Sequence, residues 1–249
     1  MSEKKLIWYG FQQALPITCS YFFVSMAYGM TMEKAGFFWG WSLLTSLTVY
    51  TGAFQFVLVT FLSGGASILT IAITALFMNS RQFFYGLTFV EDFKKMGKFY
   101  PYMVHTMTDE TYAVNCAMLE RRNAGVEKLL KDDKKRRRIM FYVALFSRTS
   151  WMIGAVLGGV IGQLIPAQLE GIDFCMTALF LTIFVDQWKV AKNHFPALAG
   201  LIVGILCLLF FGANSFMLPA LILVSGLLLI MERKIQKKEI VTEKEVVNL

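Results

Sequence analysis

Long runs of apolar residues without a charge organise this chain. They extend over residues 6–32, 35–80, 149–169 and 195–231. About 20 apolar residues span the hydrocarbon core of a bilayer as a helix, so the second and fourth runs are each long enough for two segments. Backbone groups in lipid must satisfy one another, which favours helices throughout. The pattern predicts an all-α, polytopic helical membrane protein rather than a soluble helical bundle.

Eight hydrophobic segments can be delimited, and some of them are not simple spans. They are residues 12–31, 39–62, 65–90, 103–119, 139–165, 172–187, 194–212 and 215–231. The third segment is interrupted by Asn79-Ser80-Arg81-Gln82, and the sixth has only a short uncharged stretch between Asp173 and Asp186. We therefore predict about seven transmembrane helices, in a range of about six to eight, including broken or re-entrant segments.

The basic residues lie between and beyond these segments and predict the orientation. The net charge is +7, and residues 120–138 hold nine lysines and arginines against four acids. Cytoplasmic loops of membrane proteins are enriched in lysine and arginine. We predict a single transmembrane domain over residues 1–249, with residues 1–10, about 120–138 and about 232–249 in the cytoplasm.

Lys94, Lys95 and Lys98 conflict with eight full crossings, which would place them outside the cell. The conflict disappears if residues 65–90 are re-entrant or a broken pair of half-helices and residues 103–119 do not cross completely. About six full crossings then remain, with both termini in the cytoplasm.

Composition excludes several other classes of protein. Hydrophobic residues make up 56% of the chain and charged residues 16%, whereas a soluble domain carries about 25% charged residues. The basic residues form no stripe for nucleic acid, and there is no P-loop. The cysteines are scattered and the two histidines lie far apart, so we expect no disulfide, metal or cofactor. These residues are Cys19, Cys116, Cys175, Cys207, His105 and His194.

A polar cluster in the apolar region contains the candidate substrate-binding residues Tyr50, Gly52, Gln55 and Asn79. Gly52 permits a helix break whose exposed backbone groups could bind a carboxylate or an amine, and Gln55 offers donors and an acceptor. Alternatively, Gly52 is a helix-packing contact and Gln55 forms an interhelical hydrogen bond.

Ionisable residues within the apolar region are candidates for coupling or gating. Arg81 lies in an otherwise uncharged stretch, where a cation usually faces a cavity or a partner, although it could also snorkel from a helix end. Asp109 and Glu110 are its natural partners, and His105 precedes Asp109 by one helical turn. Such a group could relay protons, or the segment could be an exposed interfacial helix. Arg148 either pairs with these carboxylates or marks the start of its helix.

Two further patterns concern packing and internal symmetry. Gly154, Gly158 and Gly162 recur every four residues, which predicts a close-packing face towards another helix or another subunit. Both halves of the chain have a glycine-rich helix, a glycine-containing loop and an aromatic-rich helix that ends near a glutamine. The corresponding loops are Ala35-Gly36 and Glu170-Gly171, and the glutamines are Gln55 and Gln187. This is a weak two-fold repeat of the kind found in transporters.

Taken in order, several stretches resemble the AzlC family of branched-chain amino-acid exporters. The similar stretches are residues 14–17, 28–29, 50–56, 75–87, 108–110, 151–162, 173–174 and 178–181. Residues 108–110, Thr-Asp-Glu, are similar to a motif of that family. Two positions depart from it: Gln82 stands where the family often has histidine, which weakens any proton role there, and Ser80 replaces the usual leucine.

The resemblance implies secondary active export of branched-chain amino acids, or of related neutral ones such as methionine, across the cytoplasmic membrane of a prokaryote. It also implies a small membrane subunit of the AzlD type and coupling to an ion gradient, with protons expected. The partners would be the amino acid, this subunit and the lipid bilayer, and the protein would not be an enzyme. Alternatives are an uncoupled channel or facilitator, a membrane-embedded enzyme that uses His105 and Asp109, and an assembly scaffold.

Overall fold

All regular secondary structure is helical in the residues that the computed structural model of the protein describes. These are residues 3–123, 127–164, 181–182, 184–185, 188–189, 194–212, 216 and 219–228. The helices are α1 (Glu3–Lys34), α2 (Trp39–Thr48), α3 (Ala53–Ser63), α4 (Ile68–Lys94), α5 (Tyr100–His105), α6 (Asp109–Asn123), α7 (Asp133–Leu164), α8 (Phe195–Phe211) and α9 (Pro219–Leu228). Short 3-10 turns, Gly97–Phe99 and Lys128–Lys131, precede α5 and α7. The predicted all-α class is confirmed.

Helix α7 is the one helix of the described residues that is both long and apolar enough to cross a membrane. Its 32 residues extend over about 48 Å at 1.5 Å per residue. Helices α3, α8 and α9 are apolar but shorter. The number of crossings stays a prediction.

The chain divides into two compact units. The first comprises Met1–Ala66 and Met78–Phe180, and the second comprises Ser67–Phe77 and Leu181–Leu249. All the site residues predicted from the sequence belong to the first unit. In the second unit, α8 ends at Phe211 and is followed by Gly212, whose φ of 73° is a conformation that favours glycine.

Several sequence predictions lie outside the described residues. The second loop of the proposed repeat, Glu170-Gly171, and its glutamine, Gln187, are among them. The basic tail from residue 232 and most of the segment 172–187 also lie there. The repeat therefore stays a prediction.

Helices α1 and α7 run parallel through the first unit. At the ends where both helices begin, the Tyr142 hydroxyl donates to Glu3 Oε1 at 2.6 Å. Near their other ends, Gln163 Nε2 lies 3.5 Å from Glu33 Oε2. The two helices therefore lie side by side from end to end and run in the same direction.

Glycines allow α1 and α7 to approach closely. A Cβ atom on Gly158 would lie 2.0 Å from the backbone oxygen of Met26, and one on Gly29 would lie 2.1 Å from that of Ala155. Because glycine has no side chain, two helices with glycines where they meet can bring their backbones close together. The predicted glycine face is confirmed, and its partner is α1 of the same chain.

Residues 39–62 form two helices rather than one. Helix α2 ends at Thr48, and α3 begins at Ala53 after Gly52, whose φ of 40° is strained for any other residue. The Cβ of Trp39, at the start of α2, lies against Gly159 of α7, and Phe56 of α3 packs on Tyr28 of α1 with ring centroids 5.6 Å apart. We call residues 49–52 the first break.

Residues 103–119 are also divided. Helix α5 ends at His105 and α6 begins at Asp109, with Thr106–Thr108 between them, which we call the second break. Thr108 caps the new helix by accepting from the backbone N–H of Thr111 at 3.4 Å. The segment is thus not one continuous helix, and the prediction that it does not cross the membrane completely stays a prediction. The prediction that His105 and Asp109 share a helix face is wrong, because the chain leaves the helix between them.

Helix α4, in contrast, is continuous from Ile68 to Lys94. It passes without interruption through Asn79-Ser80-Arg81-Gln82, where the sequence predicts a break. None of these residues is glycine or proline, and ordinary residues cost a helix at most about 0.7 kcal/mol each relative to alanine. The predicted break in residues 65–90 is wrong, because polarity alone does not end a helix.

The end of α4 lies beside the beginning of α7. Arg136 Nη2 donates to Asp92 Oδ1 at 2.8 Å, and the Arg136 side chain is only 3% exposed. Lys95 and Glu3 line one cavity. The lysines after α4 thus lie at the same end as the N-terminus and the basic loop, as the charge pattern requires. The interruption that brings these lysines to this end is the first break, between α2 and α3, and not a break within α4.

A tyrosine joins α1 to the basic loop at this end. The Tyr9 hydroxyl donates to Glu127 Oε2. Burial is the main reason that the pKa of Tyr9 is raised to about 12, and this hydrogen bond is the second reason. Tyr9 therefore remains a neutral donor at any physiological pH.

Candidate functional site

The two breaks meet about half-way along α7. Arg148 lies about 22 Å along that helix from its first residue. Its Nη2 donates to the backbone oxygen of Leu47, in the last turn of α2, at 2.7 Å. Nε2 of His105, the last residue of α5, lies 3.2 Å from the same oxygen. A cation is favourable at the C-terminal end of a helix, so Arg148 holds the first break against α7, and the second break adjoins it.

Aromatic rings surround Arg148 and the first break. The guanidinium carbon lies 5.6 Å from the ring centroid of Tyr50 and 5.4 Å from that of Tyr102. Trp151 packs edge-to-face on Tyr50 with the ring centroids 6.3 Å apart. A Cβ atom on Gly52 would lie 3.7 Å from the Trp151 ring. The first break is therefore covered by Trp151.

Several buried polar atoms around the first break have no hydrogen-bond partner within the described residues. They are Ser42 Oγ, Tyr50 Oη, Thr51 Oγ1, Gln55 Oε1 and Trp151 Nε1. The Gln55 side chain is 0% exposed, and its amide nitrogen lies 3.4 Å from Ser46 Oγ. A buried polar atom without a partner costs about 1–3 kcal/mol. The cluster therefore suits a ligand that brings both donors and acceptors.

Carboxylates lie at the second break, where α6 begins. Arg81 Nη2 lies 2.8 Å from Asp109 Oδ2, with side chains that are 46% and 35% exposed. The Tyr21 hydroxyl lies 2.5 Å from Glu110 Oε2 and 2.7 Å from Thr108 Oγ1. The partial positive charge at the start of a helix favours both carboxylates. The expected contact of Arg81 with Asp109 is thus formed, and Glu110 contacts α1 instead.

Arg148 occupies neither of the places expected from the sequence. Helix α7 begins at Asp133, far before Arg148, and the guanidinium binds a backbone oxygen rather than Asp109 or Glu110. Both alternatives are wrong for one reason: the end of a broken helix supplies a free carbonyl oxygen that no side-chain pattern marks.

Asn79 lies on α4 and not at either break. It lies half-buried on α4, two residues before Arg81, and makes no side-chain hydrogen bond within the part of the chain that the structure describes. Sequence reasoning overlooked Tyr21 and Trp151. Trp151 follows Arg148 by three residues and so lies on the same helix face, a spacing that could have identified it.

Metal-ligating side chains are not gathered in groups of three or more anywhere in the described ranges. Cys19, Cys116 and Cys207 are free thiols, and Cys175 lies outside these ranges. The side chains at the two breaks form hydrogen bonds, ion pairs and aromatic contacts.

Comparison with known proteins finds a matching family model and several relatives that are named as transport or membrane proteins. A model of the AzlC protein family matches residues 16–165. The chain is 32% identical to the branched-chain amino acid transport protein AzlC of Bacillus subtilis, over 96% of this chain and 92% of the relative. It is 33% identical to an uncharacterized membrane protein of Helicobacter pylori, over 91% and 96%. It is 28% identical to the inner membrane protein YgaZ of Escherichia coli, over 86% and 84%. No solved structure matches the chain.

Proposed function

Because the chain belongs to the AzlC family and is a protein of the prokaryotic cytoplasmic membrane, we propose that it exports branched-chain amino acids by secondary active transport. Methionine and related neutral amino acids are further candidate substrates. The name of the Bacillus subtilis relative supports the substrate class. Export, proton coupling and a small AzlD-type partner subunit are parts of the proposal.

The cluster of unpartnered polar atoms at the first break carries this proposal. The Trp151 N–H and the hydroxyls of Tyr50 and Thr51 are donors suited to a carboxylate, and the N-terminal end of α3 adds a favourable dipole. Gln55 Oε1 is an acceptor suited to an ammonium group. A zwitterionic amino acid supplies both partners at once, and the surrounding aromatic rings suit an aliphatic side chain.

The contact between the two breaks is the proposed gate. Helices α2 and α5 approach this contact from opposite ends of α7. The backbone oxygen of Leu47, in the last turn of α2, is contacted by Arg148 of α7 and by His105 of α5. If the two breaks separate first towards one side of the membrane and then towards the other, the substrate site opens to each side in turn. Asp109 and Glu110, half-way along the unit, are the groups proposed to carry the coupled proton.

The substrate site is tested by removing one of the hydrogen-bond donors that we propose for the substrate carboxylate. We expect Tyr50→Phe to raise the KM for leucine roughly tenfold with little change in the maximal rate, because one buried hydrogen bond is lost. Trp151→Phe removes the N–H together with part of the ring that packs on Tyr50, and should raise the KM at least as much. The measurement is initial-rate transport in proteoliposomes. Trp41→Phe, at a residue 47% exposed on α2, is the matched control and should leave KM unchanged. An unchanged KM in both test variants would place the carboxylate elsewhere.

Uphill transport distinguishes an exporter from a channel. We expect purified protein in proteoliposomes to concentrate leucine when a pH gradient is imposed, and to stop when the gradient is collapsed. A channel or facilitator would only equilibrate leucine across the membrane. In cells fed with leucine-containing dipeptides, the chain should lower intracellular leucine. Product formation from an amino acid in detergent, without compartments, would instead support the enzyme alternative.

A further inference from the structure

A cavity of about 390 Å³ lies at the end of the first unit where α1 and α7 begin. It is an open cavity that is lined by the start of α1, the turn after α4 and the first turns of α7. None of its lining residues belongs to the two breaks. It is therefore a separate feature that the proposed transport function does not use.

The lining of this cavity is strongly basic. It contains four cations, Lys95, Lys134, Arg137 and Arg138, and one carboxylate, Glu3. That carboxylate already accepts hydrogen bonds from Arg138 and from a tyrosine. Arg137 lies 3.7 Å from Asp92, a carboxylate that is engaged more closely by Arg136.

The two lysines of the cavity have no ion pair among the described residues. Lys95 and Lys134 are exposed, and neither makes a salt bridge within the described residues. Like charges held close together repel each other, so the cavity favours a bound anion.

Aromatic rings form the other wall of the cavity. Phe99, Phe141 and Tyr142 line it, and the rings of Phe99 and Phe141 are 4.7 Å apart between centroids. Phe99 is 53% exposed. A small soluble anion would contact the cations but would gain nothing from these rings, whereas a molecule with a phosphate and an apolar part would use both walls.

The sequence around the cavity has the pattern that is typical of the headgroup level of a bilayer. The charged first turns of α7 are followed at once by the apolar sequence from Ile139, and aromatic residues are typical of this boundary. Basic pockets between transmembrane helices at the cytoplasmic side suit anionic headgroups.

We propose that this cavity binds the phosphate of an anionic phospholipid. Lys95 and Lys134 contact the phosphate, and the glycerol and first methylene groups lie against Phe99 and Phe141. The lipid bridges the ends of α1, α4 and α7 and so stabilises the first unit.

Thermal unfolding of the purified full-length chain in neutral detergent tests this site without any transport measurement. We expect added phosphatidylglycerol to raise the Tm, and phosphatidylcholine with the same acyl chains to have little effect. In the double variant Lys95→Gln/Lys134→Gln, the half-saturating concentration should rise roughly fivefold for each lysine removed. Both positions are exposed, so the variant should fold.

The matched control is the double variant Lys98→Gln/Lys131→Gln. It removes two positive charges from the same part of the sequence, at exposed positions that do not line the cavity. It should keep the response of the intact protein. Equal losses in the two double variants, or equal effects of the two lipids, would overturn the proposal. The same Tm shift with inorganic phosphate at the same concentration would reassign the cavity to a soluble anion.

Discussion

Replacing Gly158 with alanine is expected to prevent normal packing of α1 on α7. The new Cβ would lie 2.0 Å from the backbone oxygen of Met26 and 2.7 Å from its carbonyl carbon. Both are backbone atoms, so no change of rotamer relieves the overlap. Overpacking a core costs about 1–3 kcal/mol and sometimes more, and here the two longest helices would have to separate. We expect a loss of about 3 kcal/mol or more, measured as a lower Tm and a lower yield of monodisperse protein in detergent.

Gly86→Ala is the matched control for this prediction. Gly86 also lies in a long helix, in the part of α4 that belongs to the first unit, but no heavy atom lies within 4 Å of a Cβ placed there. Alanine should leave stability unchanged or increase it by up to about 1 kcal/mol, because it is the better helix former. Gly29→Ala, on the opposite helix, should reproduce the effect of Gly158→Ala. Similar stability of the Gly158 and Gly86 variants would contradict the close contact.

Separating Arg81 from Asp109 should reduce leucine export roughly tenfold to hundredfold. Arg81→Gln and Asp109→Asn each leave one charge without its partner, which is costly in an apolar environment. Since the two side chains are 46% and 35% exposed, we expect both variants to assemble, with the loss appearing mainly in transport. The measurements are the initial rate of leucine efflux from proteoliposomes and the elution profile of the purified variants.

Lys94→Gln is the control for the ion pair at Arg81. Lys94 lies on the same helix and pairs with Glu91 at 3.3 Å, with side chains that are 60% and 75% exposed. Exposed pairs contribute little, so transport should be unchanged. If Arg81→Gln and Asp109→Asn assemble and export as fast as Lys94→Gln, the pair has no role in gating or coupling.

The glycine-dependent features were predictable because glycine acts locally. Gly52 permits a φ of 40°, and the break it was predicted to allow is present. Glycines spaced by four residues form one face of a helix, and that face indeed makes a close contact. The resemblance to the AzlC family, which rests on several motifs in order, is likewise confirmed.

Predictions from polarity alone were less successful. The polar residues 79–82 lie within a continuous helix, because a helix tolerates polar side chains that its environment can solvate or pair. The second break, at Thr106–Thr108, contains no glycine or proline. Its position depends on contacts such as that of Thr108 with Tyr21, at 2.7 Å and 87 residues apart in the chain.

The sequence by itself determined the environment, the helical class, the family and the residues worth testing, because apolar run length, charge placement and motifs act over short stretches. The tertiary structure alone decided which groups meet. Arg148 binds Leu47 O, His105 reaches the same oxygen, and Glu110 contacts α1. The acceptor of Arg148 is a backbone atom 101 residues away, and every residue has such an atom. Only folding leaves that one oxygen unpaired within its own helix and brings it to the middle of α7.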